Sequence, residues 1–239
     1  MEANIQLKEI ILGSLLGDGC LVVPKRYKKP HFEFRHSILQ KDYFDWKASL
    51  LKEISSEKSC RIQPPDGWSK LEKVHYRSLT HPSLIEIYQL TRPKGTFAIT
   101  EKWLKCLTPI SLMIWWLDDG SLIRNSRQGL FCTEGFSHKN ISSLQKYLQQ
   151  RWGIKTHIGI RGKYYQLRMY STEELKKFLR LILPYFPVEN MLPKVIILYK
   201  NKTLQQRWIS EIIELTGFNE SVVQKYLALK KAKYAMFRK

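Results

Sequence analysis

Long apolar runs are missing from this chain. Its most hydrophobic stretches, residues 10–16, 112–117 and 195–198, fall far short of the roughly 20 residues that span a bilayer, so no membrane span is expected. Cysteine is scarce and unpatterned: Cys20, Cys60, Cys106 and Cys132 form no Cys-x-x-Cys pair and have no histidine nearby at zinc-finger spacing. That excludes a disulfide framework or a zinc finger and leaves four thiols, expected to be buried in a reducing compartment. The six histidines show no metal-ligand pattern, and His36 and His75 read as groove or core residues. Met1-Glu2-Ala3-Asn4 lacks the basic region of a signal peptide, so the expected address is intracellular: a bacterial or phage cytoplasm, or an organelle.

Acid is scarce relative to base. The 239 residues carry 21 Asp and Glu against 40 Lys and Arg, a formal net charge of +19, while 44% of the chain is hydrophobic. Such a chain can bury a core and still surround itself with a positive field, which points to a polyanion: nucleic acid ahead of an anionic membrane.

What is present is a duplication. An apolar, helix-like run ending in Asp-Gly occurs twice, as ILGSLLGDG at 11–19 and LMIWWLDDG at 112–120, with Asp18 and Asp119 standing 101 residues apart (119 − 18). Each puts a carboxylate just before a glycine, where an apolar helix must stop. Pro93-Lys94 recurs as Pro193-Lys194, 76 residues after the first acid and 75 after the second (94 − 18 and 194 − 119). Between these markers FRHSILQKDYF at 34–44 aligns without a gap on FCTEGFSHKNI at 131–141. Each half therefore reads as helix, hairpin, helix, hairpin, helix.

Thr108-Pro109 makes a good helix start, with Thr as N-cap and Pro at the first helical position, and the helix should run to about Asp118. Asn4 is a poorer cap for the first copy. Gly13 and Gly17 form a small-residue stripe on which a second helix backbone can sit closely; Ile114 and Asp118 stand at the corresponding places of the second copy, so the contact is not a symmetric glycine zipper.

Past each acid the pattern changes to period two. Ile154, Thr156, Ile158 and Ile160 alternate with Lys155, His157, Gly159 and Arg161; after a turn at Gly162-Lys163, Tyr165, Leu167 and Met169 alternate with Tyr164, Gln166, Arg168 and Tyr170. One face is apolar and the other basic and aromatic, either an ordinary solvated sheet face or a ribbon that reads the major groove. The first half repeats the theme in Lys25, Arg26, Lys28, Arg35, Lys73, His75 and Arg77. Candidate DNA contacts in the second half are Arg124, Arg127, Lys155, His157, Arg161, Lys163, Gln166, Arg168 and Tyr170. From about Asn201 the repeat ends. Runs at 209–215 and 220–227 about Thr216-Gly217-Phe218 give a helix-turn-helix pattern, followed by six basic residues and no acid in 225–239; the segment reads as a DNA clamp or as part of the core.

Carboxylates ending two packed helices in a basic protein suit hard-cation chemistry on phosphate, which Lys94 and Lys194 can support by lowering a water pKa or stabilising charge on the phosphorane. With both motifs, and LTPISLMIWWLDDGS together with the later MLPK, the chain resembles a single-chain LAGLIDADG homing endonuclease over roughly residues 4–200. The resemblance implies an α+β fold of two pseudo-symmetric αββαββα repeats, 1–100 and 101–202, forming a saddle over double-stranded DNA, with a helix-turn-helix-like extension at 203–239. It implies Asp18 and Asp119 as catalytic metal ligands sharing two or three Mg²⁺ ions, and Lys94 and Lys194 as solvent-network lysines. Glu134 falls near a polar residue that supports the metal site, with Ser37 or Arg35 as its first-half counterpart. The implied activity is a double-strand break in a long asymmetric target, leaving short 3′ cohesive ends, by a monomer whose other partner is its own intron RNA. A transcription regulator that binds DNA without cutting and an RNA maturase are the alternatives. Two intact acids argue against the first, since binding alone needs no metal-ligating carboxylates.

Overall fold

The structure is a computed structural model that describes residues 2–25, 29–65, 70–124 and 126–236, with side chains from Leu7 onward. Of the candidate DNA contacts, Arg26 and Lys28 lie outside the described residues. In the first half, α1 (Glu2–Ser14) is followed by β1 (Gly19–Val22), β2 (His31–Ser37), α2 (Lys41–Ser49), β3 (Cys60–Gln63), β4 (Lys73–Arg77), α3 (Pro82–Thr91) and a short α4 (Glu101–Leu104). The second half runs through α5 (Pro109–Asp119), β5 (Gly120–Ile123), β6 (Gln128–Phe131), α6 (His138–Trp152), β7 (His157–Arg161), β8 (Tyr164–Met169) and α7 (Thr172–Ile182), then α8 (Lys202–Thr216) and α9 (Glu220–Met236). From α1 to α3 and from α5 to α7 the order is αββαββα, as the duplication requires. The two antiparallel sheets repeat it in their strand orders, β1-β2-β4-β3 and β5-β6-β8-β7. The pairing of Gly19 with Phe34 and of Gly120 with Phe131 fixes the same register in both.

The chain divides into two units, Met1–Asp119 and Gly120–Lys239. Helix α5, which opens the second sequence repeat, thus belongs to the first unit. Its length is set by Thr108, whose Oγ1 accepts from the Ser111 N–H at 3.4 Å, and by Pro109 at the first turn. Every residue from Ser111 to Asp118 is buried, because a helix apolar on all sides must be enclosed. Helix α1 begins at Glu2, so Asn4 lies inside it rather than capping it. The glycine stripe meets α5 as expected: a Cβ on Gly13 would come within 2.4 Å of the Ser111 carbonyl oxygen, and one on Gly17 within 2.4 Å of the Asp118 Cβ. Beneath the helices, Phe32, Phe34, Phe44 and Tyr76 fill the core face of the first sheet, Phe34 and Tyr76 stacked with centroids 5.0 Å apart.

In the second unit Ser137 caps α6 and Gly153, at φ 64°, ends it. The β7–β8 hairpin turns at Gly162, φ 59°. The described part of the C-terminal segment, 203–236, is built into this unit. Trp208, Ile209, Ile212, Val223 and Leu227 are buried, Trp208 Nε1 donates to the Val195 carbonyl at 3.1 Å, and Lys230 Nζ donates to the carbonyls of Pro193 and Ile196 at 2.6 Å each. The cysteines correct an expectation. None of the four is in a disulfide, Cys20 and Cys60 are exposed, and Cys106 and Cys132 are half-buried. Cys20 and Cys60 lie on β1 and β3, the two edge strands of their sheet, where among the described residues one flank pairs with no further strand. Among the described residues no helix is long and apolar enough to cross a membrane.

Candidate functional site

After Ser14 the backbone tightens, the Leu16 N–H donating to the Gly13 carbonyl at 3.1 Å and the Gly17 N–H to the Ser14 carbonyl at 2.9 Å. This delivers Asp18 just past the helix, its side chain 39% exposed, immediately before β1. Helix α5 runs alongside, and its Asp118 points inward with a fully buried side chain. Such a carboxylate must be paired. Lys47 of α2, also fully buried, reaches its two oxygens at 2.8 and 3.0 Å, and Tyr43, one turn earlier, donates its hydroxyl to Asp118 Oδ1 at 2.8 Å. Burial, followed by the Asp118 charge and hydrogen bond, holds the Tyr43 phenol well above its ordinary pKa, which keeps it a donor. The Asp18 backbone N–H donates to Asp118 Oδ2 at 3.3 Å.

His36 completes the cluster from the core face of β2. Its Nδ1 lies 3.3 Å from Asp18 Oδ2 and its Nε2 3.7 Å from Asp118 Oδ1, and Nε2 is buried without a hydrogen-bond partner. Asp18, His36 and Asp118 each offer a ligand atom within 4.8 Å of the others. Carboxylate oxygens suit a hard divalent cation that keeps most of its waters. Lys47 already neutralises Asp118, so the donor that fits such a cation is the partly exposed Asp18 carboxylate, backed by the buried His36 imidazole.

Asp118, Lys47 and Tyr43 were not among the expected site residues, and His36 was expected to be a groove or core residue and not a metal ligand. Two signals mark them: an acid in the second motif where the first has Gly17, and a lysine at i+4 from a tyrosine on the apolar face of α2. Asp119, the expected second ligand, ends α5 and is half-buried. Lys94 is exposed between Pro93 and Gly95 with φ 60°, a left-handed conformation rare for a side-chain-bearing residue. Lys194 is half-buried beside Pro193, facing a cavity of about 440 Å³ also lined by Ser121, Tyr226, Lys230 and Tyr234. Glu134 accepts a short hydrogen bond from Gln166 Nε2, and Gln166 Oε1 accepts from Arg168 Nη2 at 2.6 Å.

The sheet faces carry the remaining candidates. In the first unit the register sets Glu33 opposite Arg77, Arg35 opposite His75 and Ser37 opposite Lys73 on one face, with Arg61 opposite His75. Arg35, Arg61 and Arg77 are exposed, as is Lys25, whereas Lys73 is half-buried and His75 is buried. Burial, with the charges of Arg35 and Arg61, lowers the His75 pKa against the opposing pull of Glu33. In the second unit Lys155, His157, Arg161, Lys163 and Tyr170 are exposed, as are Arg124 and Arg127 beside the first hairpin turn, while Gln166 is buried. Arg168 lies over Gly159, where an added Cβ would come within 2.8 Å of its Nε.

The family whose sequence profile matches, over residues 8–178, is described as the LAGLIDADG DNA endonuclease family. Among curated proteins, Protein RecA of Mycobacterium gastri is 32% identical over 195 residues, covering 74% of this chain and 44% of that protein; the chain thus spans less than half the length of this relative. DNA endonuclease I-ChuI of Chlamydomonas applanata is 27% identical over 168 residues, covering 65% of this chain and 77% of that protein. Among solved structures, the homing endonuclease I-WcaI bound to its DNA recognition sequence superposes with a TM-score of 0.70 at 18% identity, covering 82% of this chain and 88% of that one. That likeness is one of fold.

Proposed function

The chain belongs to the LAGLIDADG DNA endonuclease family, and we propose that it is a site-specific homing endonuclease. It acts as a monomer on a long asymmetric duplex, breaking both strands with a divalent cation, Mg²⁺ by preference, and leaving short 3′ overhangs. The observation that carries this reading is the Asp18 carboxylate, exposed at the end of α1 beside a second motif helix whose own buried acid is neutralised. Asp18 and Asp119 are the acids that anchor the cation. When bound, Mg²⁺ supplies the charge that lowers the pKa of an attacking water and offsets charge on the leaving oxygen. Lys94 and Lys194 stabilise negative charge developing at the phosphorus. Arg35, Arg61, Arg77, His157 and Arg161 supply phosphate and base contacts from the exposed sheet faces.

The test is incubation with a randomised duplex library and Mg²⁺, followed by sequencing of the cut ends. On the target so recovered, Asp18→Asn and Asp119→Asn should each abolish double-strand cleavage while holding specific binding within about tenfold, or about 1.4 kcal/mol. Full cleavage by either variant would remove that acid from the mechanism.

A further inference from the structure

The two repeats differ where the first acid is held. Carried along the shared register, Asp118 stands where the first motif has Gly17, and Lys47, the seventh residue of α2, stands where α6 has the buried Leu144. Tyr43 corresponds to Asn140 and His36 to Thr133, whose hydroxyl is spent on the Tyr165 carbonyl at 3.0 Å. The first repeat thus has a glycine where the second has the acid, the second has a leucine where the first has the base, and that acid and base meet, both fully buried. A buried ion pair is seldom more stabilising than the apolar residues it replaces, so stability alone does not account for it.

Its remaining bonds do. Besides Lys47 and Tyr43, the Asp118 carboxylate takes the Asp18 backbone N–H on Oδ2 at 3.3 Å, and it faces His36, whose other ring nitrogen lies 3.3 Å from the Asp18 carboxylate. We propose that Lys47 and Tyr43 are positioning residues for Asp18: they hold the Asp118 carboxylate in one orientation, and it in turn orients the Asp18 peptide and, through His36, the Asp18 side chain. The places equivalent by repeat for Asp119 are Gly17, Asn140, Leu144 and Thr133, none of them ionisable. The device serves one acid and therefore one strand. The strand consequence rests on the reading of Asp18 and Asp119 as cleavage carboxylates.

The experiment compares the full chain with Tyr43→Phe and with Lys47→Leu/Asp118→Ala in two measurements. In the protein alone, amide hydrogen exchange at Asp18 is expected to speed up about tenfold in the double variant and less in Tyr43→Phe, the loss of one hydrogen bond of about 1.4 kcal/mol corresponding to that factor, while the Asp119 amide is unchanged. On the target recovered with Mg²⁺ and labelled on both strands, one strand should be cut at least tenfold more slowly relative to the other than by wild type. Unchanged exchange at Asp18 overturns the proposal whatever the cutting shows, and so does equal slowing of both strands. A wild-type chain that cuts no duplex would instead defeat the endonuclease reading, and the exchange at Asp18 would still decide the positioning. Tyr43→Phe removes one donor at almost constant volume and keeps the test decisive should the double variant not fold.

Discussion

Lys47 and Asp118 can be weighed against each other by stability alone, with no nucleic acid present. Both side chains are fully buried, with Lys47 Nζ 2.8 and 3.0 Å from the two carboxylate oxygens. Lys47→Leu removes the cation that balances the Asp118 charge and leaves it neutral donors such as the Tyr43 hydroxyl and the Asp18 N–H. Asp118→Ala leaves an ammonium enclosed by apolar groups, 4.6 Å from the Phe34 ring centre. Either single change strands a buried charge, and each should cost about 3–5 kcal/mol. The double variant strands neither. Leucine fills the volume of the lysine stem, and alanine keeps the Cβ that rests on Gly17 while avoiding the helix cost of about 1 kcal/mol that glycine would bring. Its net cost should be no more than about 2 kcal/mol, mostly the Tyr43 hydroxyl's exchange of the Asp118 carboxylate for its long, 3.5 Å contact to the Ile114 carbonyl.

The coupling energy from the four-protein cycle is then at least about 4 kcal/mol. Urea unfolding at pH 7, followed by far-ultraviolet circular dichroism and read as shifts in midpoint at constant slope, measures it. Costs that add to within about 0.5 kcal/mol would show that the two residues do not interact energetically and would refute the buried pair.

Two further outcomes concern the second unit. Truncation after Lys202 removes Trp208, Ile212, Val223 and Leu227 from the core together with the donors to the 193–196 backbone, so thermal melts should show loss of cooperative folding or a large drop in Tm; a truncated chain melting at the wild-type temperature would make the segment an accessory after all. Lys230 is largely enclosed, and burial pulls its pKa from the lysine value down to about 7. The unfolded chain therefore binds more protons between about pH 7 and 10, so stability should rise with pH across that window by up to about 1.4 kcal/mol per unit. Lys230→Met should flatten the slope, and urea midpoints that fall with pH in wild type relative to the variant would contradict it.

The architecture was legible because the chain states it twice. Matching offsets between two Asp-Gly motifs, two Pro-Lys pairs and one ungapped segment are enough to order the elements. Within elements, Thr108-Pro109, the Gly13 and Gly17 stripe and the turn at Gly162 each name a local geometry that the structure contains. The exposure of Cys20 and Cys60 was not legible, because whether a strand lies at the edge of a sheet depends on pairing order, and alternation along the strand says nothing about that.

The centre of the candidate site escaped for a related reason. Periodicity reports which face of an element is buried, but not what a buried charge will meet there. Lys47 on the apolar face of α2 and Asp118 in the second motif each break a local pattern, and each break is intelligible only beside the other, 71 residues away in the chain. The 203–239 segment shows the same limit from the opposite side. Its composition shifts as an independent domain's would, yet what ties it down are side-chain donors, Gln205, Trp208 and Lys230, reaching the main-chain carbonyls of residues 193–197. Every residue offers such an acceptor whatever its side chain, so the acceptors leave no mark in the sequence. The donors are all that can be read: a glutamine, a tryptophan and a lysine on helix faces that turn inward. In both places the informative residue is the polar one at an apolar position, and its partner is supplied by the fold.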